Sequence, residues 1–382
     1  MGKYINAPEG FVEKVRYIDL GDTVKAAVYT SERCRAFADM RGVRYGEMFN
    51  DKEPFDFKTH HFTFDKDELR KNASFDVSFT PWRAGRGIFA DANDITSVTV
   101  RYEEADLIPY TEEAERMDRG LCFKHSEERE ICEGAKYAIE HYETKDGAPV
   151  VVYTFRYDPT VVEMCTGTPD GTYDYKDQKQ TVMGEAEYAL SQGKRVIGAF
   201  NADFFDMFGD CAPSGLCVKD GVIIANADSK RYFFGTKKNG DPIIDSLVGK
   251  TGLVNEIENA VCGINLLLDN GNIVDVGIGE PFGYIAHPRT VAGICSDGSV
   301  IVMVIDGRRP WHSNGATLID AAKLLLSHGA VRGLNLDGGG SSTFIVENAD
   351  GKLEMLNHPA DLHRPTEDLI RDVFNSILLI KK

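Results

Sequence analysis

Hydrophobic and polar residues alternate along several short segments in the first third of the chain. Phe75, Val77 and Phe79 are separated by single polar residues, and residues 98–102 and the pair Phe62 and Phe64 follow the same period. A period of two residues is typical of strands with one buried face. We therefore predict a β-rich N-terminal region, with a loop at residues 84–87, where glycine occurs twice.

Between residues 103 and 133 the pattern gives way to a charged segment with 11 acidic and 4 basic side chains. Such a charge density is typical of a solvated helix or of a connector between domains. We place a domain boundary near residue 130, which divides the chain into a β-rich domain at 1–130 and a second domain at 131–382.

The second domain combines strand patterns with two helix patterns. Residues 136–142, 150–155 and 196–200 are predicted strands, and residues 167–179 a polar surface loop. Helices are predicted at 181–192 and 318–327, the second beginning after the N-cap Thr317, with Asp320 in the capping-box position. The expected fold class is α/β or α+β: a mixed-sheet catalytic domain with flanking helices, preceded by a smaller β-rich domain.

Composition and charge narrow the classes of function. The 382 residues include 43 basic and 60 acidic side chains, a net charge of −17, which disfavours nucleic acid and anionic membranes as partners. No apolar run reaches the roughly 20 residues of a spanning helix. The N-terminus lacks an apolar leader segment, so we expect a cytoplasmic location for the sequence as it stands, or export if a leader has been removed.

Eight cysteines occur without zinc-ligand spacing, and we expect mostly buried, reduced thiols. Cys211 and Cys217 are the pair in which a disulfide is to be checked.

Four segments in which strands adjoin polar turns carry the candidate chemistry. The first places Asn201 and Asp203 after a predicted strand; an Asx-turn is the structural alternative. The second places His287 and Arg289 before a strand. A guanidinium held there fits a phosphate with two parallel hydrogen bonds, whereas a surface ion pair is the alternative.

The third segment follows the apolar run 300–305. It contains Asp306, Arg308, Trp311, His312 and Asn314 within nine residues. Arginines can hold an anion while an exposed tryptophan stacks on a sugar ring. A β-turn capped by Asp306 is the structural alternative.

The fourth segment contains three consecutive glycines after Asp337: Gly338, Gly339 and Gly340, followed by Ser341. Three glycines cost backbone entropy and contribute no packing, so they indicate positive φ angles or close approach to a ligand. Their amides could form an anion-binding nest. Together, the four segments predict a site for an anionic, sugar-like and phosphorylated ligand.

The sequence at these segments resembles the phosphodiester glycosidase family, which includes bacterial proteins associated with exopolysaccharide biosynthesis. The resemblance covers about residues 131–382 and does not reach residues 1–130, whose role stays open. It rests on Asn201-Ala-Asp-Phe-Phe205, Pro213-Ser-Gly215, Lys219-Asp-Gly221, Pro288-Arg-Thr290, Asp306-Gly-Arg308, Ser313-Asn-Gly315, Asn335-Leu-Asp-Gly-Gly-Gly-Ser341 and Arg371-Asp-Val-Phe-Asn375.

The resemblance implies hydrolysis of a sugar-1-phosphodiester, of N-acetylhexosamine type, to a free sugar and a phosphomonoester. On this hypothesis Asp306 and Asp337, with Asp203 third, direct water to the anomeric carbon or attack it. The remaining candidates bind the substrate: Asn201, His287, Arg289, Arg308, Trp311, Asn314, Gly338, Gly339, Gly340 and Ser341. Whether the reaction retains or inverts configuration stays open, as does the oligomeric state.

A metal and two other functions also stay open. Asp203, Asp206, Asp210 and Asp337 are hard oxygen ligands suited to Ca²⁺ or Mg²⁺, and Ca²⁺ is the possible cofactor. The alternative functions are a non-catalytic binding protein for sugar phosphates or cell-wall polymers, and a metal-dependent phosphodiesterase that attacks phosphorus.

Overall fold

The computed structural model describes residues 5–6, 11–31, 34–46, 59–83, 88–89, 96–226, 229–277, 281–361, 368 and 370–382. It divides into two compact units. The first comprises Met1–Met117 with Gly277–Tyr284, and the second comprises Asp118–Val276 with Ile285–Lys382. The predicted boundary at residue 130 therefore lies inside the second unit.

Among its described residues, the first unit contains two β-sheets and two short helices from its N-terminal part, together with one helix from its second segment. Its strands are β1 (Ile5–Asn6), β2 (Val12–Asp19), β3 (Thr23–Thr30), β4 (Cys34–Met40), β5 (Val43–Gly46), β6 (Thr59–Asp65), β7 (Ser74–Arg83), β8 (Ile88–Phe89), β9 (Thr96–Arg101) and β10 (Leu107–Pro109). Its helices are α1 (Lys66–Asn72), α2 (Tyr110–Met117) and, from the later segment, α4 (Pro281–Tyr284).

The predicted alternation produces the core of this unit. One sheet has the order β1-β9-β7-β4-β5 with β8 on β7, and the other has the order β10-β2-β3-β6. Phe75, Val77 and Phe79 of β7 are buried together with Phe62 and Phe64 of β6, which confirms these strand predictions. The loop predicted at 84–87 lies outside the described residues.

The second unit is built from three sheets and two longer helices. Its strands are β11 (Cys122–Cys132), β12 (Ala135–Glu143), β13 (Pro149–Tyr157), β14 (Val162–Gly167), β15 (Val196–Asn201), β16 (Cys217–Lys219), β17 (Val222–Ala225), β18 (Tyr232–Lys237), β19 (Pro242–Ser246), β20 (Ile257–Cys262), β21 (Leu266–Asp269), β22 (Asn272–Ile273), β23 (Arg289–Cys295), β24 (Val300–Ile305), β25 (Ala330–Asn335), β26 (Phe344–Glu347), β27 (Leu353–Met355) and β28 (Ser376–Lys381). Its helices are α3 (Val182–Ser191) and α5 (Leu318–Ser327).

The sheets of this unit have eight, five and five strands. Their orders are β11-β12-β13-β24-β23-β25-β21-β22, β14-β28-β15-β26-β27 and β17-β16-β20-β18-β19. Phe155 of the first sheet contacts Phe200 of the second with ring centroids 5.7 Å apart, and Phe200 contacts Phe344 at 5.0 Å. These rings belong to the main core cluster, so residues of the two sheets share one core.

The two helices form where the pattern predicts them. Thr317 accepts a hydrogen bond from the Asp320 amide, and the Asp320 carboxylate closes the capping box at the start of α5. Thr181 caps α3 in the same way, by accepting from the Gly184 amide. Sheets with few helices confirm the α+β class, and the described strand pairs of the second unit are antiparallel.

The charged segment at 103–133 differs from the helix or connector that its composition predicts. It contains α2 and then β11, an edge strand whose first seven residues are exposed. Charged side chains on an exposed edge strand discourage pairing with other chains. The acidic residues therefore belong both to a helix and to a solvated edge strand. The charge count alone does not distinguish these two structures.

Candidate functional site

The topology brings three of the four candidate segments to one edge of the eight-stranded sheet. Strand β23 is antiparallel to both β24 and β25, so its first residue lies beside their last ones. Arg289 pairs with Ile305, and Val291 pairs with Asn335. The segments around Arg289, Asp306 and Asp337 therefore meet at this edge.

Asn201 connects the first segment to this edge as a buried clamp. Its side-chain oxygen accepts from the Thr290 hydroxyl at 2.7 Å and from the Thr343 amide at 3.1 Å, and its nitrogen donates to the Asp337 carbonyl at 2.7 Å. Asn201 is completely buried. Asn201, a predicted substrate-binding residue, thus lies beneath the loops and supports them.

We expect Asn201→Ala to lower the free energy of unfolding by about 3 kcal/mol, because the Thr343 amide and the Thr290 hydroxyl each lose a buried acceptor. Urea denaturation measures the loss. The matched control is Asn272→Ala on the exposed strand β22, for which the change should stay within about 0.5 kcal/mol. A loss below about 1 kcal/mol in Asn201→Ala would contradict the clamp.

Asp306 is held in a dense set of donors. One carboxylate oxygen accepts from Asn357 Nδ2 at 3.1 Å, and the other accepts from the His358 amide at 2.9 Å and lies 3.0 Å from His312 Nε2. Asp306 is only 1% exposed. This carboxylate is therefore enclosed, with the imidazole of His312 among its partners, and its catalytic role stays a prediction.

His312 reaches Asp306 because the chain reverses sharply between them. Arg309 and Ser313 form a bridge, with the Ser313 amide 2.7 Å from the Arg309 carbonyl. The His312 side chain stays 26% exposed, and its ring packs edge-on against His358 at 5.0 Å. A buried carboxylate thus orients a partly exposed imidazole, an arrangement suited to proton transfer.

Two guanidinium groups lie against the glycine loop. A Cβ atom added to Gly339, whose φ is +60°, would lie 3.1 Å from Nη1 of Arg308, and one added to Gly340 would lie 2.5 Å from Nη2 of Arg371. Glycine therefore allows both arginines to approach the backbone. Arg371 also contacts the Ser341 hydroxyl at 3.4 Å and pairs with Asp361 at 2.6 Å.

Three amides of the glycine loop are engaged with backbone carbonyls, and the anion-binding nest stays a prediction. The amides of Gly339, Ser341 and Ser342 donate to the carbonyls of Pro288, Gly338 and Gly339. The arginine pair brings positive charge to the loop, and the end of the loop at Ser342 is joined to the Asp306 carboxylate through Asn357. The Asn357 amide donates to both Asp306 and the Ser342 carbonyl, at 3.1 and 3.0 Å.

His287 and Arg289 support the site from within. Arg289 is 2% exposed and donates to the carbonyls of Ala316 and Ile285. Burial, followed by the charges of Arg289 and Arg308, lowers the pKa of His287 to about 3. His287 is therefore neutral at physiological pH. Gly315 has φ +88°, and a Cβ there would lie 2.6 Å from the His287 carbonyl oxygen.

The other two predicted carboxylates differ in exposure. Asp203 is 2% exposed, and one of its oxygens accepts from the Cys262 amide at 2.5 Å. Asp337 is partly exposed, and its amide donates to the Ala202 carbonyl at 2.9 Å. Asp337 is thus the one of the three predicted acids that solvent reaches appreciably.

Trp311 and Asn314 lie on the same turn as His312. Trp311 is 65% exposed, which matches the predicted role of an aromatic surface for a sugar ring. Asn314 is half-buried, and its amide is fixed to the Pro149 carbonyl at 2.8 Å. Both side chains remain predicted substrate ligands.

The candidate metal ligands do not come together in the described part of the chain. Asp206 accepts from the amides of Phe208 and Gly209, and Asp210 accepts from the Ala212 amide. No group of three His, Cys, Asp or Glu side chains among the described residues has an arrangement that could hold a metal ion. Asp206 and Asp210 therefore cap their own loop.

All eight cysteines are free thiols, including Cys211 and Cys217, and most are buried. Within the described ranges, no helix has the length and apolarity needed to cross a membrane.

Sequence motifs reveal only part of the site as the structure assembles it. Arg371 appears in the sequence only within a motif of the resemblance, and His312 only as a neighbour of Trp311. Asn357 and His358 lie about 50 residues beyond Asp306, in a segment without a motif. The available signal was the six-residue spacing from Asp306 to His312 across a turn, which allows the two side chains to meet.

Fold and site together define an α+β protein in which an arginine-lined glycine loop adjoins a carboxylate–imidazole pair. Residues 194–379 match the family model described as phosphodiester glycosidase. This match confirms, for this part of the chain, the resemblance inferred from the motifs.

Two curated proteins are similar in sequence to part of this chain. The chain is 31% identical over 232 residues to the SPbeta prophage-derived uncharacterized protein YomE of Bacillus subtilis, covering 56% of this chain and 34% of the relative. It is 27% identical over 190 residues to N-acetylglucosamine-1-phosphodiester alpha-N-acetylglucosaminidase of Mus musculus, covering 45% of this chain and 35% of that enzyme. The chain thus spans about a third of the length of these curated relatives.

A solved structure shares the fold. The catalytic domain of the zebrafish N-acetylglucosamine-1-phosphodiester alpha-N-acetylglucosaminidase, auto-inhibited by its pro-peptide, superposes with a TM-score of 0.52 at 19% identity. The match covers 68% of this chain and 89% of that one.

Proposed function

We propose that this chain hydrolyses the bond between the anomeric carbon of an N-acetylhexosamine-type sugar and a phosphate oxygen in a sugar-1-phosphodiester. The products are a free sugar and a phosphomonoester. One observation carries the proposal: Arg308 and Arg371 lie at the glycine loop, and Asn357 connects this loop to the Asp306–His312 pair. An anion site thus adjoins a group that can accept a proton.

The arginine pair suits a phosphate leaving group. As the bond from carbon to phosphate oxygen breaks, negative charge grows on the phosphate. Guanidinium groups donate charge-assisted hydrogen bonds to such oxygens. Donors fixed in advance stabilise the transition state more than the bound substrate, because the charge they meet is larger there.

His312 supplies the proton acceptor in this scheme. Its Nε2 lies at the Asp306 carboxylate, so that nitrogen carries the proton and Nδ1 of the neutral ring offers a lone pair. A water molecule attacks the anomeric carbon and transfers a proton to Nδ1, while the phosphate departs with the bonding electrons. Asp337, which solvent reaches, is assigned to stabilise positive charge at the anomeric carbon.

Hydrolysis of an activated α-GlcNAc-1-phosphodiester tests the proposal. We expect release of free GlcNAc and a phosphomonoester by the wild-type chain, and loss of most of this activity in Arg371→Ala. Binding of the substrate without release of either product would instead support the non-catalytic binding protein. If neither binding nor turnover occurs with GlcNAc and several other sugar-1-phosphodiesters, the proposed function is wrong.

A further inference from the structure

A cavity lined by other residues than those of the candidate site lies on the face of the eight-stranded sheet that carries α5. Successive residues of a strand point to opposite faces, so Glu140 and Tyr142 of β12 face α5, whereas His141 faces the other side. The cavity has a volume of about 570 Å³, within the range of small-molecule sites. We call it the β12–α5 groove; among its lining residues are Phe123, Glu140, Tyr142, Lys323, Ser327 and His328.

One wall of the groove is aromatic. Phe123 on β11 is 56% exposed, although phenylalanine is usually buried. Tyr142 packs against it edge-on, with ring centroids 5.6 Å apart and an interplanar angle of 73°. The Tyr142 hydroxyl is in turn fixed to a Glu140 carboxylate oxygen at 2.7 Å. The Phe123 ring therefore offers an accessible apolar surface next to an anchored neighbour.

Four ionisable side chains of the groove form two pairs of opposite sign, and a fifth, Asp320, binds backbone amides. His328 Nε2 lies 2.9 Å from Glu140, and Lys323 pairs with Asp118. Burial lowers the pKa of His328, but the contact with Glu140 outweighs it and the net shift is upward. Asp320 is occupied by the amides of Thr317 and Arg119, each at 3.0 Å. The paired side chains thus balance in charge and do not favour an ionic ligand.

The groove is suited to binding and not to nucleophilic catalysis. Ser327 Oγ lies 3.2 Å from His328 Nδ1, and Glu140 lies at the other ring nitrogen, as in a Ser–His–Glu triad. However, His328 Nδ1 also lies 2.8 Å from the Leu324 carbonyl, which can only accept. That nitrogen therefore carries a proton and cannot remove one from Ser327.

We propose that the β12–α5 groove binds a neutral oligosaccharide, separately from the phosphodiester site. An apolar ring surface matches the C–H face of a pyranose, and flanking hydroxyl, ammonium and carboxylate groups can exchange hydrogen bonds with sugar hydroxyls. Balanced charges favour a neutral ligand over a sugar phosphate. The phosphodiester site lies at the strand-end loops around Asp306, so both sites can be filled at once.

Titration with chitotriose, maltotriose and cellotriose, followed by isothermal calorimetry or ligand-detected NMR, tests the proposal. At least one of these sugars is expected to bind saturably, with weakening of roughly tenfold in Phe123→Ala. The matched control is Tyr173→Ala, an aromatic residue 49% exposed outside the groove, which should bind as the wild type does. Hydrolysis of the phosphodiester should be unchanged in Phe123→Ala.

Three results would overturn the assignment. The first is absence of saturable binding of all three sugars up to roughly 10 mM. The second is equal binding by Phe123→Ala and the wild type, and the third is tighter binding of glucose 6-phosphate than of the neutral sugars in the groove. Because Arg371→Ala should leave oligosaccharide binding intact, failure of the groove and failure of the proposed catalytic function are distinguishable.

Discussion

Replacing His312 by glutamine is expected to lower kcat for the sugar-1-phosphodiester roughly 1,000-fold, with little change in KM. The imidazole accepts the proton of the attacking water, and glutamine cannot accept it. Asp306→Asn should also lower kcat. The Asp306 carboxylate keeps the proton of the His312 imidazole on Nε2, so that the lone pair of Nδ1 can accept a proton, and an amide at this position does not enforce that tautomer. Steady-state kinetics over a range of pH measures both effects.

The pH profile separates this role from a merely structural one. A general base contributes to kcat only while it can accept a proton, so the dependence of kcat on pH should differ in shape between the wild type and His312→Gln. The matched control is His125→Gln, an exposed histidine on β11, for which kcat should stay within about twofold of the wild type. Retention of more than about a tenth of wild-type kcat in His312→Gln would contradict the assignment.

Arg371→Ala is expected to lower kcat/KM by roughly 100- to 1,000-fold, the range for removal of one preorganised donor from a developing anion. Arg371→Lys should recover only part of the activity, because an ammonium group lacks the planar fork of a guanidinium. Arg308→Ala should have an effect of similar size, since its guanidinium lies at the neighbouring glycine.

A substrate without phosphate provides a sharp test of this role. In hydrolysis of an aryl α-GlcNAc glycoside the leaving group is a phenolate. Hydrolysis of this substrate should therefore be much less sensitive to Arg371→Ala than hydrolysis of the phosphodiester. The matched control is Arg195→Ala, whose side chain is exposed and pairs with Glu347 on the surface. Equal losses on the two substrates would show that Arg371 does not act on the phosphate.

The sequence predicts the secondary structure around the site well because that structure follows local rules. The capping box of Thr317 and Asp320 and the apolar run of β24 depend only on neighbours along the chain. Strand β11 does not follow from such local rules. Its charged residues resemble those of a solvated helix, and only pairing with β12 makes them an edge strand.

The division of roles within the site could not be predicted in the same way. Asn201 and Arg289 are polar residues beside strands, as ligand-binding residues often are, but contacts with distant backbone groups enclose them. Asp306 is enclosed through Asn357 and His358, which lie about 50 residues away in sequence. Burial of a polar side chain is a tertiary property, so a motif reveals the residue type but not its exposure.

Hydrolysis of the phosphodiester in H₂¹⁸O tests the central claim most directly, because it identifies the atom that water attacks. Attack at the anomeric carbon leaves the phosphomonoester unlabelled and places ¹⁸O on the sugar. The phosphomonoester is the product to analyse by mass spectrometry, since the anomeric oxygen of a free sugar exchanges with water. An unlabelled phosphomonoester is the result we predict, and ¹⁸O in the phosphomonoester would show attack at phosphorus and contradict the account.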